Sequence, residues 1–155
     1  RTYQLLAQVA GRAGRAEHQG RVLLQTYGPE HPVMQALISG DRDRFVASET
    51  SERERHALPP FGRLAALIVS APEEHRGLEA CSDLANRIPA DIAGARILGP
   101  APAPLFLLRG RYRHRFLVLA QRNVNIQGLV SDWLDTYTPP TRVRVQIDID
   151  PYSFL

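Results

Sequence analysis

Lysine is missing from this chain of 155 residues: all nineteen Lys-plus-Arg positions are arginine. A Walker A loop ends in Gly-Lys-Ser or Gly-Lys-Thr, so none exists here, and these residues alone are expected not to hydrolyse ATP. A GC-rich codon bias accounts for the absence as well as any chemical need does. Its chemical effect is the same either way: every cation is a planar fork suited to bidentate phosphate contacts rather than a point charge. Cysteine, methionine and tryptophan occur once each. The lone Cys81 excludes an internal disulfide and a cysteine metal cage. With Leu78 and Leu84 nearby in a predicted helix, it reads as a small core residue rather than a nucleophile. No apolar run approaches the roughly 18 residues of a membrane span, and no charged-then-apolar leader pattern opens the chain. The expectation is a soluble, cytoplasmic chain with no membrane partner.

The 44% hydrophobic and 23% charged residues are globular values. The net charge of +3 suits a nucleic-acid partner without demanding one. The length holds one ordinary domain, or a piece of one plus a smaller complete one. A first residue Arg1 rather than Met favours the second reading.

The run Gln8-Val9-Ala10-Gly11-Arg12-Ala13-Gly14-Arg15 is the densest local signal. Leu5, Leu6, Val9 and Ala10 keep the i, i+3, i+4 rhythm of an amphipathic helix, and Gly11 and Gly14 interrupt it near the helix end. Arg12 and Arg15 share a face if the turn is helical, a geometry that suits phosphate oxygens. Two readings stand: an arginine finger, or a glycine-terminated helix with solvated arginines. Gln8, three residues before Gly11, favours the first.

Further along, residues 21–27 (RVLLQTY) read as a short strand, 33–38 and 41–56 as helices, and Leu58-Pro59-Pro60-Phe61-Gly62 as a boundary. The second of these helices carries charge nearly all round and reads as a solvated bridge. Beyond the boundary the pattern predicts strand 63–70, helix 73–88, a proline-broken strand 96–108, strand 111–120, helix 123–137 and strand 142–150. Pro100, Pro102 and Pro104 place the second strand at a sheet edge, because proline cannot donate to a central ladder. In the last strand Val143, Val145, Ile147 and Ile149 alternate with Arg142, Arg144, Gln146, Asp148 and Asp150, as one covered face requires. Trp133, with Leu129, Val130 and Leu134, reads as core. The order βαββαβ predicts a ferredoxin-like domain, and the chain as a whole is α+β.

Arg109, Arg111, Arg113 and Arg115 alternate with Gly110, Tyr112, His114 and Phe116. In one extended strand four guanidinium groups would project from one face over roughly 20 Å, enough to follow several phosphates. Either they contact nucleic acid, or Asp148 and Asp150 neutralise them. Tyr112 either stacks on an unpaired base or fills core. His114 has no second ligand at metal spacing, so no metal site is expected.

The pattern Gln-x-x-Gly-Arg-x-Gly-Arg resembles motif six of the superfamily 2 helicases. The longer string from Gln4 to Arg15, then Gln25-Thr26-Tyr27-Gly28-Pro29-Glu30-His31-Pro32, is similar to the PriA family of bacterial replication-restart helicases. Pro59-Pro60-Phe61 before Arg63-Leu64, Leu98 to Pro104 with Arg109 to Arg113, and Asp148-Ile149-Asp150-Pro151 extend the likeness over the whole chain. The resemblance implies that residues 1–28 end the second RecA-like helicase lobe, 29–62 form a helical connector, and 63–155 a ferredoxin-like C-terminal DNA-binding domain. It gives Arg15 the role of γ-phosphate finger, Arg12 that of its partner, and Gln8 an interdomain hydrogen bond. It implies an ATP-dependent 3′ to 5′ DNA helicase that binds stalled forks and restarts replication through primosome assembly.

ATP and Mg²⁺ would then act in the longer parent, as would zinc held by cysteine clusters outside these residues. No cofactor is expected in this piece alone. Branched or single-stranded DNA, the acidic tail of single-stranded DNA-binding protein and primosome proteins are the implied partners of a monomer, with the tail docking near Arg122 and Gln127. The alternative is a stand-alone basic nucleic-acid-binding module whose helicase motif is an inert remnant. A third reading is a docking module for primosome proteins.

Overall fold

A computed structural model of the chain describes residues 2–12 and 22–151. They divide into two compact units, Arg1–Glu52 and Arg53–Leu155. The first contains α1 (Thr2–Gly11), α2 (Pro32–Ser39) and most of α3 (Arg42–Arg55). α2 starts where proline tolerates a helix best, at its first position, with the His31 side chain accepting the Val33 N–H at 3.2 Å. Asp41 Oδ1 accepts the Arg44 N–H at 2.9 Å and starts α3 the same way. Tyr3 and Phe45 stack with ring centroids 4.6 Å apart. α3 has no buried residue, as its all-round charge predicts.

The strand expected over residues 21–27 is not formed across 22–27, and Arg21 lies outside the described residues. Leu23 is 92% exposed there. An apolar run becomes a strand only when a neighbour takes up its N–H and C=O groups, and none pairs with it among the described residues.

The second unit is the predicted βαββαβ series: β1 (Gly62–Ala71), α4 (Glu74–Asn86), β2 (Ala95–Leu108), β3 (Arg111–Gln121), α5 (Ile126–Asp135) and β4 (Arg144–Ile149). The four strands form one sheet in the order β2-β3-β1-β4, with every neighbouring pair antiparallel. β2, which carries the three prolines, is an edge strand as expected. Period-two alternation assigns the faces. Ala65, Leu67 and Val69 of β1 and Phe116, Val118 and Ala120 of β3 are buried in one core with Cys81 and Leu84 of α4 and Ile126, Val130 and Trp133 of α5. Both helices therefore cover the same face. Trp133 meets Phe116 edge to face at 5.4 Å, and its Nε1–H donates to the Leu84 carbonyl at 3.0 Å, tying α5 to α4. A buried aromatic pair of this kind holds about 3–5 kcal/mol against truncation to alanine.

Two glycines are sterically required. A Cβ on Gly62 would collide with the Ala57 carbonyl oxygen, so the chain enters β1 pressed against the preceding turn. Gly99 sits at φ 113°, where a Cβ would lie 2.7 Å from the Arg115 carbonyl oxygen. There β2 slips register between Leu98 and Ala101, so the edge strand bulges without losing β3. Pro60 and Pro100 follow cis peptide bonds. α5 starts at Ile126, later than the expected 123, because Asn125 caps it by accepting the Gly128 N–H at 3.1 Å.

Candidate nucleic-acid interface

With both helices on one face, the odd-numbered side chains of β3 stand on the other. The strand registers arrange that helix-free face in rows across β3, β1 and β4: Arg113, Ser70, Arg144; Arg115, Ile68, Gln146; and Leu117, Ala66, Asp148. Successive rows are about 6.6 Å apart, and β3 and β4 lie about 9.6 Å apart with β1 between them. Small or apolar side chains on β1 thus form a floor, and polar side chains on β3 and β4 form two walls. A groove of about 290 Å³ follows this trough, lined by Arg113, Arg115, Gln146 and Asp148 over Ala66 and Ile68, with Ala103 and Pro104 of β2 on its flank.

The four arginines of the expected ladder meet four different fates. Arg109 is not in a strand: Leu108 and Arg111 are paired, and Arg109-Gly110 form the two-residue turn between them, with φ 51° and 71°. These are the positive values that a tight hairpin of native twist requires, so the ladder has three members in β3, not four. Arg111 is committed inward. Its Nη2 donates to the carbonyls of Ser70 at 2.7 Å and Arg142 at 2.6 Å, and its Nε to Ser70 Oγ at 3.3 Å. Arg113 makes one long bond, to the Leu105 carbonyl at 3.4 Å. Arg115, and Arg144 across β1 on the same face, make no side-chain hydrogen bond or ion pair among the described residues.

The carboxylates expected to neutralise the ladder do not do so. Asp150 is taken by Arg63, whose Nη2 lies 2.7 Å and Nε 2.8 Å from Oδ2. That hydrogen bond holds the Asp150 carboxyl below its ordinary range. Asp148 lines the groove but pairs with no cation among the described residues. The face therefore carries unneutralised guanidinium groups at strand spacing, which an anionic chain with regular charge repeats would complement.

Tyr112 is on the opposite side of β3. Half-buried, it meets Phe106 edge to face at 5.5 Å, so the arrangement does not bring it together with Arg113 and Arg115. His114 is buried on that side too, 5.3 Å from the Phe106 ring and against Gly77 of α4, and its Nδ1 has no hydrogen-bond partner among the described residues. Burial lowers its pKa, partly offset by Glu74.

Residues 54–152 match the family model described as the Primosomal protein N C-terminal domain. The chain belongs to this family. Proteins named replication restart protein PriA align along nearly all of it: 40% identity over 154 residues in Rickettsia conorii, 33% over 156 in Treponema pallidum and 31% over 159 in Bacillus subtilis. The alignments take in 99 to 100% of this chain but only 24%, 24% and 20% of those relatives, so it spans about a quarter of their length or less.

In this member of the primosomal protein N family, the remaining expected residues fall on two other surfaces. Gln8 is exposed on α1, Arg12 is exposed just beyond it, and Arg15 lies outside the described residues. Arg122 and Gln127 are both exposed, at the turn before α5 and in its first helical turn. Asn125 already occupies the Gly128 N–H there. Among the described residues no group of three or more His, Cys, Asp or Glu could hold a metal, and Cys81 is buried; these residues do not fit a zinc site. Arg144 and Gln146 were not singled out as site residues by the sequence, and Asp148 stood there only as a neutralising partner of the arginines. Their signal was the alternation of the last strand, which needed the sheet order to show what they face.

Proposed function

We propose that the helix-free face of the sheet binds the sugar–phosphate backbone of DNA, as the C-terminal domain of an ATP-dependent replication-restart helicase. The observation that carries this reading is the set Arg113, Arg115 and Arg144 on one face of the sheet, the first two lining its groove, with no carboxylate within ion-pairing distance of them among the described residues. The names of the relatives, replication restart protein PriA, supply the setting. Sheet order β4-β1-β3-β2 with two helices on one face supports the ferredoxin-like assignment.

Within the same reading, residues 1–28 end a RecA-like lobe. Exposed Gln8 and Arg12, with Arg15, meet a nucleotide presented with Mg²⁺ by another lobe. Bound there, ATP supplies the energy of translocation, and the arginines stabilise charge on its phosphates. Zinc belongs to other parts of the longer protein. Arg122 and Gln127 offer an exposed cation and amide beside a helix start to an acidic peptide tail such as that of single-stranded DNA-binding protein.

Binding of branched DNA titrated against salt tests the interface. Replacing Arg113, Arg115 and Arg144 with alanine should weaken binding and reduce the slope of log K against log salt by roughly 0.7 to 0.9 per lost phosphate contact. An unchanged slope in a folded variant overturns the interface. In the intact longer protein, Arg15→Ala should leave fork binding near normal and lower ATP turnover by about 10³-fold or more; normal turnover makes motif six an inert remnant. The unit Arg53–Leu155 holds its own core, which supports that second reading of a self-sufficient binding module.

A further inference from the structure

A face built only to hold phosphates gains nothing from a carboxylate. Asp148 nevertheless lines the groove beside Gln146, on the wall opposite Arg113 and Arg115. It is not there to neutralise them. No arginine lies within ion-pairing distance among the described residues, and β1 separates its strand from theirs by about 9.6 Å. An ionised carboxylate facing a nucleic acid repels phosphate and accepts hydrogen bonds from amino groups. On a base edge those are the exocyclic amines, and a carboxylate's characteristic partner is the N4 amino group of cytosine. Gln146 adds an amide that can both accept and donate.

The shape agrees. The floor is Ala66 and Ile68, both apolar and suited to the flat face of a base. The volume of about 290 Å³ falls just below that of drug-sized ligand pockets, which run from roughly 300 to 1,000 Å³, and so suits something as small as one base. In a duplex the bases are stacked on one another and only their edges are open, so the flat face of a base reaches this floor only from a single strand.

We infer that the groove is a base-reading site on the DNA-binding face: Arg113 and Arg115 hold the backbone of a single strand, while Asp148 and Gln146 accept the amino group of an unpaired base, favouring cytosine over thymine. Thymine presents a carbonyl oxygen where cytosine presents the amine, and that oxygen is repelled by the carboxylate. The inference rests on the proposed DNA-binding reading and adds to it the strandedness and base preference of the site.

The test is fluorescence anisotropy of the 155-residue chain with homopolymeric dC and dT oligonucleotides of equal length at neutral pH. These differ at the base edge while carrying identical phosphates. Binding to dC should be tighter by about tenfold for one good base contact. Asp148→Asn exchanges an acceptor for a group that also donates, so it should erase or reverse the preference. It should leave the salt slope in place, because no phosphate contact is lost. Asp148 is exposed on an edge strand, and circular dichroism checks that the variant folds. Equal affinity for dC and dT, or a preference that Asp148→Asn does not move, overturns the base-reading site while salt-dependent binding keeps the backbone reading intact. Binding to neither oligonucleotide, or binding indifferent to alanine at Arg113 and Arg115, overturns both.

Discussion

Arg63 at the start of β1 places two nitrogens on one oxygen of Asp150, Nη2 at 2.7 Å and Nε at 2.8 Å, while Asp150 Oδ1 accepts the Leu64 N–H at 3.2 Å. The contact fastens the end of β4 to the start of β1, and it holds the Asp150 carboxyl below its ordinary value of 3.8. The folded state therefore binds this proton less readily than the unfolded one. Its contribution is complete above about pH 4 and is lost as pH falls through the folded value. The Asp150 side chain is 41% exposed, so screening keeps the contribution under about 1 kcal/mol. Asp150→Asn should cost that little at pH 7 and flatten the acid limb of a denaturation series. Asp150→Ala should cost more, since φ is 51° there and a left-handed non-glycine residue is penalised by about 1–2 kcal/mol without a compensating side-chain acceptor.

Arg111 and Arg113 occupy the same face of one strand but should behave as different kinds of residue. Arg111→Ala removes the donors to the Ser70 and Arg142 carbonyls, and should destabilise the domain by about 1–3 kcal/mol in chemical denaturation. Arg113→Ala loses a single 3.4 Å bond and should leave the denaturation midpoint nearly still while lowering DNA affinity.

Arg109 occupies a left-handed position that asparagine fills more readily. Arg109→Asn should stabilise the β2–β3 hairpin by up to about 1 kcal/mol, read as a higher melting temperature.

His114 is kept neutral by burial, its folded pKa lowered from 6.5. Above that value neither state is charged and stability is flat. As pH falls below it, the unfolded chain gains the proton first and stability declines. His114→Gln should remove this component of the decline between pH 6.5 and the lowered value, seen as a shallower dependence of unfolding free energy on pH.

Burial raises the Cys81 thiol to about 11. Thiol reagents at pH 8 should modify it only through opening of the domain, so labelling should accelerate sharply at the unfolding midpoint. Rapid labelling of the native chain would place Cys81 outside the core.

The sheet was legible in the sequence because one covered face writes itself as alternation. Val143 and Val145 turn toward the helices and Arg144 and Gln146 away, as their order predicts. The error at Arg109 has the same origin. Alternation of arginines ran unbroken through 109–115, but the two residues between the strands are a turn, and there the period stops meaning anything. Residues 22–27 show the converse, apolar enough for a strand but with no partner to pair among the described residues. The groove's second wall was hidden for a topological reason. Gln146 and Asp148 lie some thirty residues from the arginines in sequence, and only the order β3-β1-β4 sets them across a single strand.

β3 presents guanidinium groups on its odd positions and packs Phe116, Val118 and Ala120 on its even ones. The two sets can therefore be altered separately by substitution: grip on a ligand can drift at Arg113 or Arg115 while the interior stays as it is. Length is another matter. Deleting one residue before Arg113 would rotate both arginines under α4 and push Phe116 into water, inverting the strand in one step. This segment should thus accept many single replacements and no single-residue insertion or deletion.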